Sequence, residues 1–374
     1  MAHPTAAVAL DRRLQTGAAT VRLTARGGPA ARGELARALA DLDADRLLVV
    51  AESDPPPELA LPNALALRTP AATTLRAVEQ LAERALAAGI SRRTVVLGVG
   101  GPRTAGTAGL LAALLLNGLR LVQVPTTLDA ACGPALSLRH TVDSGVLGLW
   151  QAPELVFCPL DTIAATGAPA DGALDAVRAV LAVGPGRYTD LTALLRPEGG
   201  YRPREAAALI ALCADARAAV TGYDPLERGP GRALGYGRTL GRAIGLLSGG
   251  ALPAGGADGL GMLVAAGAAA RLGLLPAEDE RAHRELLRRA GLPVALPPGV
   301  DPADLPAAVR LAAARDGEPG LLLLAGLGRP YCTGGSLLTE VDDRELCAAA
   351  GPLSRRTGGV PRSRRAGVPA RCAC

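Results

Sequence analysis

The stretch TVVLGVGGPRTAGTAGLLAALLLNGLRLVQV, Thr94 to Val124, decides the fold. It opens with a short apolar run, turns through a cluster of glycines, continues at helical spacing and closes on a second apolar run. Short uninterrupted apolar runs of this kind read as strands buried on both faces. The spacing predicts a strand over 94–99, a helix over 104–116 and a strand over 120–124. Upstream, RLLVV (46–50) reads as another such strand. Between 73 and 89, TTLRAVEQLAERALAAG places Leu75, Val78, Leu81 and Ala85 on one helical stripe, and Gly89 stands where a left-handed residue ends a helix. The order β-α-β-α-β with right-handed crossovers gives a doubly wound, Rossmann-like parallel sheet, an α/β fold.

Within this stretch, Gly98, Gly100 and Gly101 follow a strand and open a helix. Glycines there let a backbone approach a pyrophosphate, and a helix N-terminus adds free N–H groups and a favourable dipole. The third glycine of the usual G-x-G-x-x-G spacing is displaced, so a purely structural tight turn is an equal reading. Glu52, after the strand over 46–50, is placed to bond an adenosine ribose; the alternative is a solvated acid ending a strand.

From about residue 161 the texture becomes alanine-rich and helical, over 204–220, 232–247, 258–272, 277–290 and 302–314, with one late strand at LLLLAGLG near Leu321. The chain has 374 residues, which suits two domains. The division predicted is a Rossmann-like nucleotide-binding domain over 1–160, an all-α domain over 161–353 and a disordered arginine-rich tail over 354–374. The cleft between the two domains is the expected ligand site.

The chain contains no lysine, so all 40 basic side chains are arginine, and none can act as a neutral amine. The net charge of +5 comes from the tail, which holds six arginines and no acid; the remainder carries 34 arginines against 35 acids. A near-neutral body with few aromatics offers no face for nucleic acid. No apolar run reaches membrane-spanning length, and the first residues lack the basic start and apolar core of a secretory leader. The seven cysteines, with only Cys372 and Cys374 close together, fit buried free thiols in a reducing cytoplasm rather than a disulfide or zinc framework.

Several segments in order resemble the 3-dehydroquinate synthase family of sugar-phosphate cyclases, which includes 2-deoxy-scyllo-inosose and valiolone synthases. GLLAALLLNGLRLVQVPTTLDA (109–130) is similar to the family's glycine helix and its VQVPTTLLA strand and loop. GLWQAPELVFCPLDTI (148–163), GYGRTLGRAIG (235–245), AGGADGLGM (254–262) and GLLLLAGLGRPYC (320–332) follow in register. The resemblance implies a Rossmann-like N-terminal domain, an all-helical C-terminal domain and a dimer. It also implies NAD and one divalent metal, zinc or cobalt, in the cleft. In that family NAD transiently oxidises a sugar-phosphate hydroxyl, phosphate leaves, and the opened sugar closes by an aldol step, with the metal as Lewis acid.

The same resemblance shows where this chain departs. The family's metal ligands, a glutamate and two histidines, fall on Asp175, Arg238 and Ala254. A guanidinium has no lone pair to donate and a methyl group has nothing to offer, so no metal site is expected. A further catalytic histidine falls on Arg242, an aspartate on Gly106, and three lysines on Thr73, Arg139 and Arg178. Gly98, Gly100, Gly101, Thr126 and Thr127 of the cofactor cradle remain. Of the histidines, His140 reads either as a partner for Asp175 in a rebuilt site or as a solvated loop residue, and His283 reads as surface. Arg238 and Arg242, with Arg232, either form a pocket for a phosphate or carboxylate or pair with nearby acids.

Together these readings describe a cyclase-family protein of secondary metabolism, cytoplasmic, whose metal-dependent reaction is lost or altered. It would bind a small anionic or phosphorylated sugar, with weak NAD binding, as a homodimer or beside an active paralogue. The alternative is an active NAD-dependent cyclase with a rebuilt site.

Overall fold

The computed structural model describes residues 9–52, 64–142, 147–166, 170–316 and 319–354. The expected tail over 354–374, with Cys372 and Cys374, lies outside them except for Ser354.

Strands β1 (Ala9–Thr16) and β2 (Ala19–Arg26) form a hairpin, followed by helix α1 (Ala30–Ala40). Then come β3 (Leu47–Ala51), β4 (Ala64–Arg68), α2 (Leu75–Ala87), β5 (Val95–Gly100), α3 (Pro102–Leu114), β6 (Arg120–Pro125) and the short α4 (Leu128–Cys132). A small hairpin of β7 (Arg139–Thr141) and β8 (Gly148–Trp150) precedes β9 (Leu155–Pro159). The main sheet has seven strands in the order β1-β2-β9-β6-β5-β3-β4. All its pairs are parallel except β1 with β2.

The alternation of side chains along the inner strands explains the layers. Leu48 and Val50 of β3 and Val96 of β5 point into one apolar cluster with α2 and α3. Leu47, Val49 and Ala51 of β3 and Val95, Leu97 and Val99 of β5 point into another with Leu35 and Leu39 of α1. A strand covered on both faces has no polar side to present, which is why these runs are continuously apolar.

The antiparallel hairpin was not foreseen. Its two-residue turn needs Gly17 at φ +60°, and Gly17 packs against Pro225, so the first strand is fixed by contacts more than 200 residues away in sequence. Leu75 also departs from expectation. It opens α2 just after the capping Thr74, whose Oγ1 accepts from Ala77 N at 3.1 Å, and it is 58% exposed, whereas Val78, Leu81 and Ala85 are buried. It sits at the edge of the stripe and at the helix end, where no covering layer reaches.

The helical part comprises α5 (Leu160–Ala165), α6 (Leu174–Ala182), α7 (Tyr188–Leu194), α8 (Pro203–Thr221), α9 (Arg238–Leu247), α10 (Ala254–Arg271), α11 (Ala277–Arg289), α12 (Leu305–Asp316) and α13 (Asp343–Ala350). Strands β10 (Leu321–Leu322) and β11 (Leu338–Thr339) form a two-residue ladder. The helix expected over 232–247 is broken: a 3₁₀ turn ends at Gly235, and Gly237 at φ +82° separates it from α9. A side chain at Gly237 would meet Met262 N at 2.8 Å and Asp258 O at 2.9 Å. The break is therefore the condition for α9 to lie directly on α10. Arg238 becomes the first residue of α9.

Three of the cysteines, Cys132, Cys158 and Cys213, are buried as expected, but Cys332 is exposed and Cys347 is partly so.

Candidate functional site

The carboxyl ends of β5 and β6 face the helical wall made by α6, α8, α9 and α10 across a cavity of about 830 Å³. Its lining carries six arginines (103, 139, 178, 217, 238, 242) against four carboxylates (129, 175, 227, 258), a surplus of two positive charges. A second chamber of about 390 Å³ shares Arg139, Arg238 and Arg242 with it and adds Arg228, Arg232 and Trp150.

Each catalytic candidate from the sequence lines this cavity. Arg178, on α6, is only 3% exposed and spends all three guanidinium nitrogens. Nη1 bonds Asp175 one helical turn away, Nη2 bonds Asp258 of α10 at 2.7 Å, and Nε donates to the carbonyl of Tyr236 at 3.0 Å. Arg217 pairs with Glu227 at 3.0 Å, and Arg103 donates to Ala71 O at 2.7 Å. Asp129 accepts from the Thr127 hydroxyl and from Ala130 N.

Arg238 differs. It stands at the positive end of α9, half-buried, and makes no side-chain hydrogen bond or ion pair among the described residues. Burial lowers its pKa, Arg178 and Arg139 lower it further, and the pull of Asp258 and Asp175 does not offset this. Arg139, on β7, is likewise without a side-chain partner among the described residues. Two guanidinium groups facing one cavity, both unneutralised, are costly unless an anion joins them.

Asp258 was missed in the sequence. Burial raises its carboxyl above the usual value, against the pull of Arg178 and Arg238. The available signal was a lone acid in α10, which is otherwise buried and apolar along most of its length.

The histidines are corrected. His140 is neither solvated nor joined to Asp175. Its ring is buried under α3 against Gly109, its Nε2 is bonded to Gln151 O at 3.0 Å, and burial lowers its pKa to about 4. His283 is not on the surface. Its Nδ1 donates to Asp279 O at 2.7 Å, its Nε2 lies 3.0 Å from the Tyr236 hydroxyl, and burial lowers its pKa to about 4. Leu286 and Leu287, three and four residues on, are buried on the same face, which is the pattern that could have placed it.

At the glycine turn, Gly98 is a packing glycine: a Cβ there would stand 2.6 Å from Gln123 Oε1 and 2.7 Å from Ala108 Cβ. Gly100 is crowded by Thr104 in the same way, at 2.6 Å. Gly101 is open, with Glu52 and Thr127 at 3.6 and 3.8 Å from the same notional atom. Glu52 accepts from the Thr104 hydroxyl at 3.1 Å through Oε1. Thr126 N bonds Gly100 O at 3.0 Å and fixes the crevice between β5 and β6. These residues fit a cofactor pyrophosphate approaching Gly101, with Glu52 beside it for a hydroxyl.

A divalent metal does not fit. Among the described residues no three His, Cys, Asp or Glu side chains converge to hold one. Asp175 and Asp258 are both engaged by Arg178, while Arg238 and Ala254 offer a cation and a methyl group. No helix among the described residues is long and apolar enough to cross a membrane.

A parallel sheet with an open glycine turn, facing an all-helical wall across a cationic cleft, defines a dehydroquinate-synthase-like two-domain protein. The chain belongs to the 3-dehydroquinate synthase family. The family's N-terminal model matches residues 67–171 and its C-terminal model residues 187–314. The chain is 39% identical over 279 residues to a 2-deoxy-scyllo-inosose synthase of Streptomyces lividus, covering 71% of this chain and 72% of the relative. The crystal structure of a 2-deoxy-scyllo-inosose synthase complexed with carbaglucose-6-phosphate, NAD+ and Co2+ superposes with a TM-score of 0.82. It is 26% identical and covers 91% of this chain and 99% of that one. The 2-epi-5-epi-valiolone synthase of Streptomyces hygroscopicus subsp. jinggangensis 5008, with NAD+ and Zn2+ bound, shares the fold at a TM-score of 0.74 and 22% identity, covering 88% of this chain and 96% of that one.

Proposed function

We propose that this sugar-phosphate-cyclase relative binds a phosphorylated sugar in its cleft without a metal ion, and that the family's metal-dependent reaction is lost. The observation that carries this reading is Arg238, which among the described residues has no side-chain hydrogen bond or ion pair and stands near Arg139, while Arg178 pairs with Asp175 and Asp258. A phosphate monoester dianion matches the surplus of two positive charges in the lining. NAD binds weakly at Gly101, flanked by Glu52 and Thr127, with Gly98, Gly100 and Thr126 shaping the turn. Arg139, Arg238 and Arg242 form the ligand-facing set, and Arg178 with Asp175 braces it. The protein acts in secondary metabolism, in the cytoplasm, as a binding or partner protein, dimerising with itself or with an active paralogue.

The open turn at Gly101 favours a second reading, an NAD-dependent cyclase with a rebuilt site. Elemental analysis of the purified protein, calorimetry with glucose 6-phosphate and a turnover assay with NAD decide between them. The first reading expects no stoichiometric metal, a binding isotherm and no phosphate release. One zinc or cobalt per chain, or sustained phosphate release, would falsify it.

A further inference from the structure

We propose that Arg178 is a built-in cation: it takes the two carboxylates that a dissociable divalent ion would need, and so leaves Arg238 and Arg139 available for an anionic ligand. This rests on the metal-free reading above and extends it to the residue that enforces it.

The geometry is a closed lock. One oxygen of Asp175 is taken by Arg178 Nη1, and the other, Oδ2, lies against the Cα of Gly133, where a Cβ would overlap it. One oxygen of Asp258 is taken by Arg178 Nη2 at 2.7 Å, and the other, Oδ1, lies against Gly241, where a Cβ would overlap it. Both carboxylates still line the cavity, with side chains 30% and 19% exposed, but each already has one oxygen on Arg178 and the other packed against a glycine, so a second cation would have to compete with the guanidinium. The third guanidinium nitrogen, bonded to Tyr236 O at 3.0 Å, ties the segment just before α9 into the same brace. One side chain therefore joins α6, α10 and the entry to α9. A planar fork of donors can do this; a compact ammonium cannot reach all three acceptors.

The charge arithmetic follows. Asp258 and Asp175 are the acids whose charge Arg238 feels. With both held by Arg178, neither closes on Arg238, and the cleft stays cationic toward solvent. Arg178 is thus a positioning residue that acts through its neighbours and touches no ligand itself.

Three variants test this, read by zinc content after dialysis, by thermal shift with zinc alone, and by calorimetry with inorganic phosphate. Arg178→Gln frees both carboxylates. It should take up zinc saturably, rise in Tm with zinc where the wild type does not, and bind phosphate about tenfold more weakly as Asp258 turns to Arg238. Asp258→Asn should do the opposite on the anion side, binding phosphate several-fold more tightly with no gain of zinc. A merely structural Arg178 would weaken phosphate binding in both variants and change zinc uptake in neither; that result overturns the proposal. Should Arg178→Gln fail to fold, Arg178→Lys replaces it: partial zinc uptake supports the proposal, and wild-type behaviour in both assays overturns it. Stoichiometric zinc in the wild type, or no phosphate binding by the wild type, defeats the metal-free reading itself.

Discussion

Gly241 and Asp258 touch: a Cβ on the glycine would stand 2.6 Å from the aspartate's Cα and 2.8 Å from its backbone nitrogen. The contact sets how deeply α9 lies on α10, and so how closely Arg238 and Arg242 approach Asp258. Backbone atoms cannot yield as the end of a flexible side chain can. We therefore expect Gly241→Ala to destabilise the protein by about 3 kcal/mol, the upper part of the range for overpacking a core. Urea unfolding checks this; a change within error would show that α9 slides freely on α10.

Arg238→Leu should separate stability from binding. Removing an unneutralised, half-buried cation from the positive end of a helix should raise stability, by about 1 kcal/mol. The same change should weaken glucose 6-phosphate binding by on the order of tenfold or more, the worth of one charge-assisted hydrogen bond. Denaturation and calorimetry on the same sample give both numbers. Loss of stability with unchanged binding would place the guanidinium in a structural pairing instead.

His140 and His283 make stability depend on pH. Both are buried neutral with pKa values lowered to about 4, against 6.5 in the unfolded chain. The unfolded state therefore binds more protons between these values, so this contribution is complete above pH 6.5 and falls as pH drops toward 4. By pH 5 each histidine should have withdrawn about 2 kcal/mol. Urea midpoints at pH 7.5 and pH 5 measure the slope, and His283→Gln should remove about half of it.

The glycine turn should divide by position. Gly98→Ala forces α3 off β5 against Gln123 and Ala108 and should destabilise by about 2 kcal/mol. Gly101→Ala meets only ordinary contacts at 3.6 and 3.8 Å and should keep the wild-type Tm within a degree or two while losing NAD binding. Equal Tm losses in the two variants would mean that Gly101, too, is a packing residue.

Much of the molecule was legible along the chain. The apolar runs at 46–50, 94–99 and 120–124 marked buried parallel strands because a strand covered on both faces has no polar side. Most helices after residue 200 followed from their periodicity, though not the break before α9 nor α13, and the family resemblance set Arg238 and Ala254 where ligating side chains would stand. Solvent exposure of single residues was less legible. Leu75 lies on the apolar stripe but beyond its cover, and His283 lies in a charged segment but faces the core.

What the sequence alone determined is the inner parallel strands with their glycine turn, the helical second half and the presence of an arginine and an alanine at 238 and 254, because each is set by residue type and local spacing. What only the tertiary structure decided is the pairing of charges. Asp258 is 80 residues from Arg178, and nothing local to either residue says that they meet, yet the packing of α6 beside α10 brings the carboxylate to the guanidinium at 2.7 Å. Which arginine is neutralised and which is left for a ligand depends on distances of a few ångströms across three helices. Coulomb interactions between partly buried charges turn on those distances, and chain order does not encode them directly.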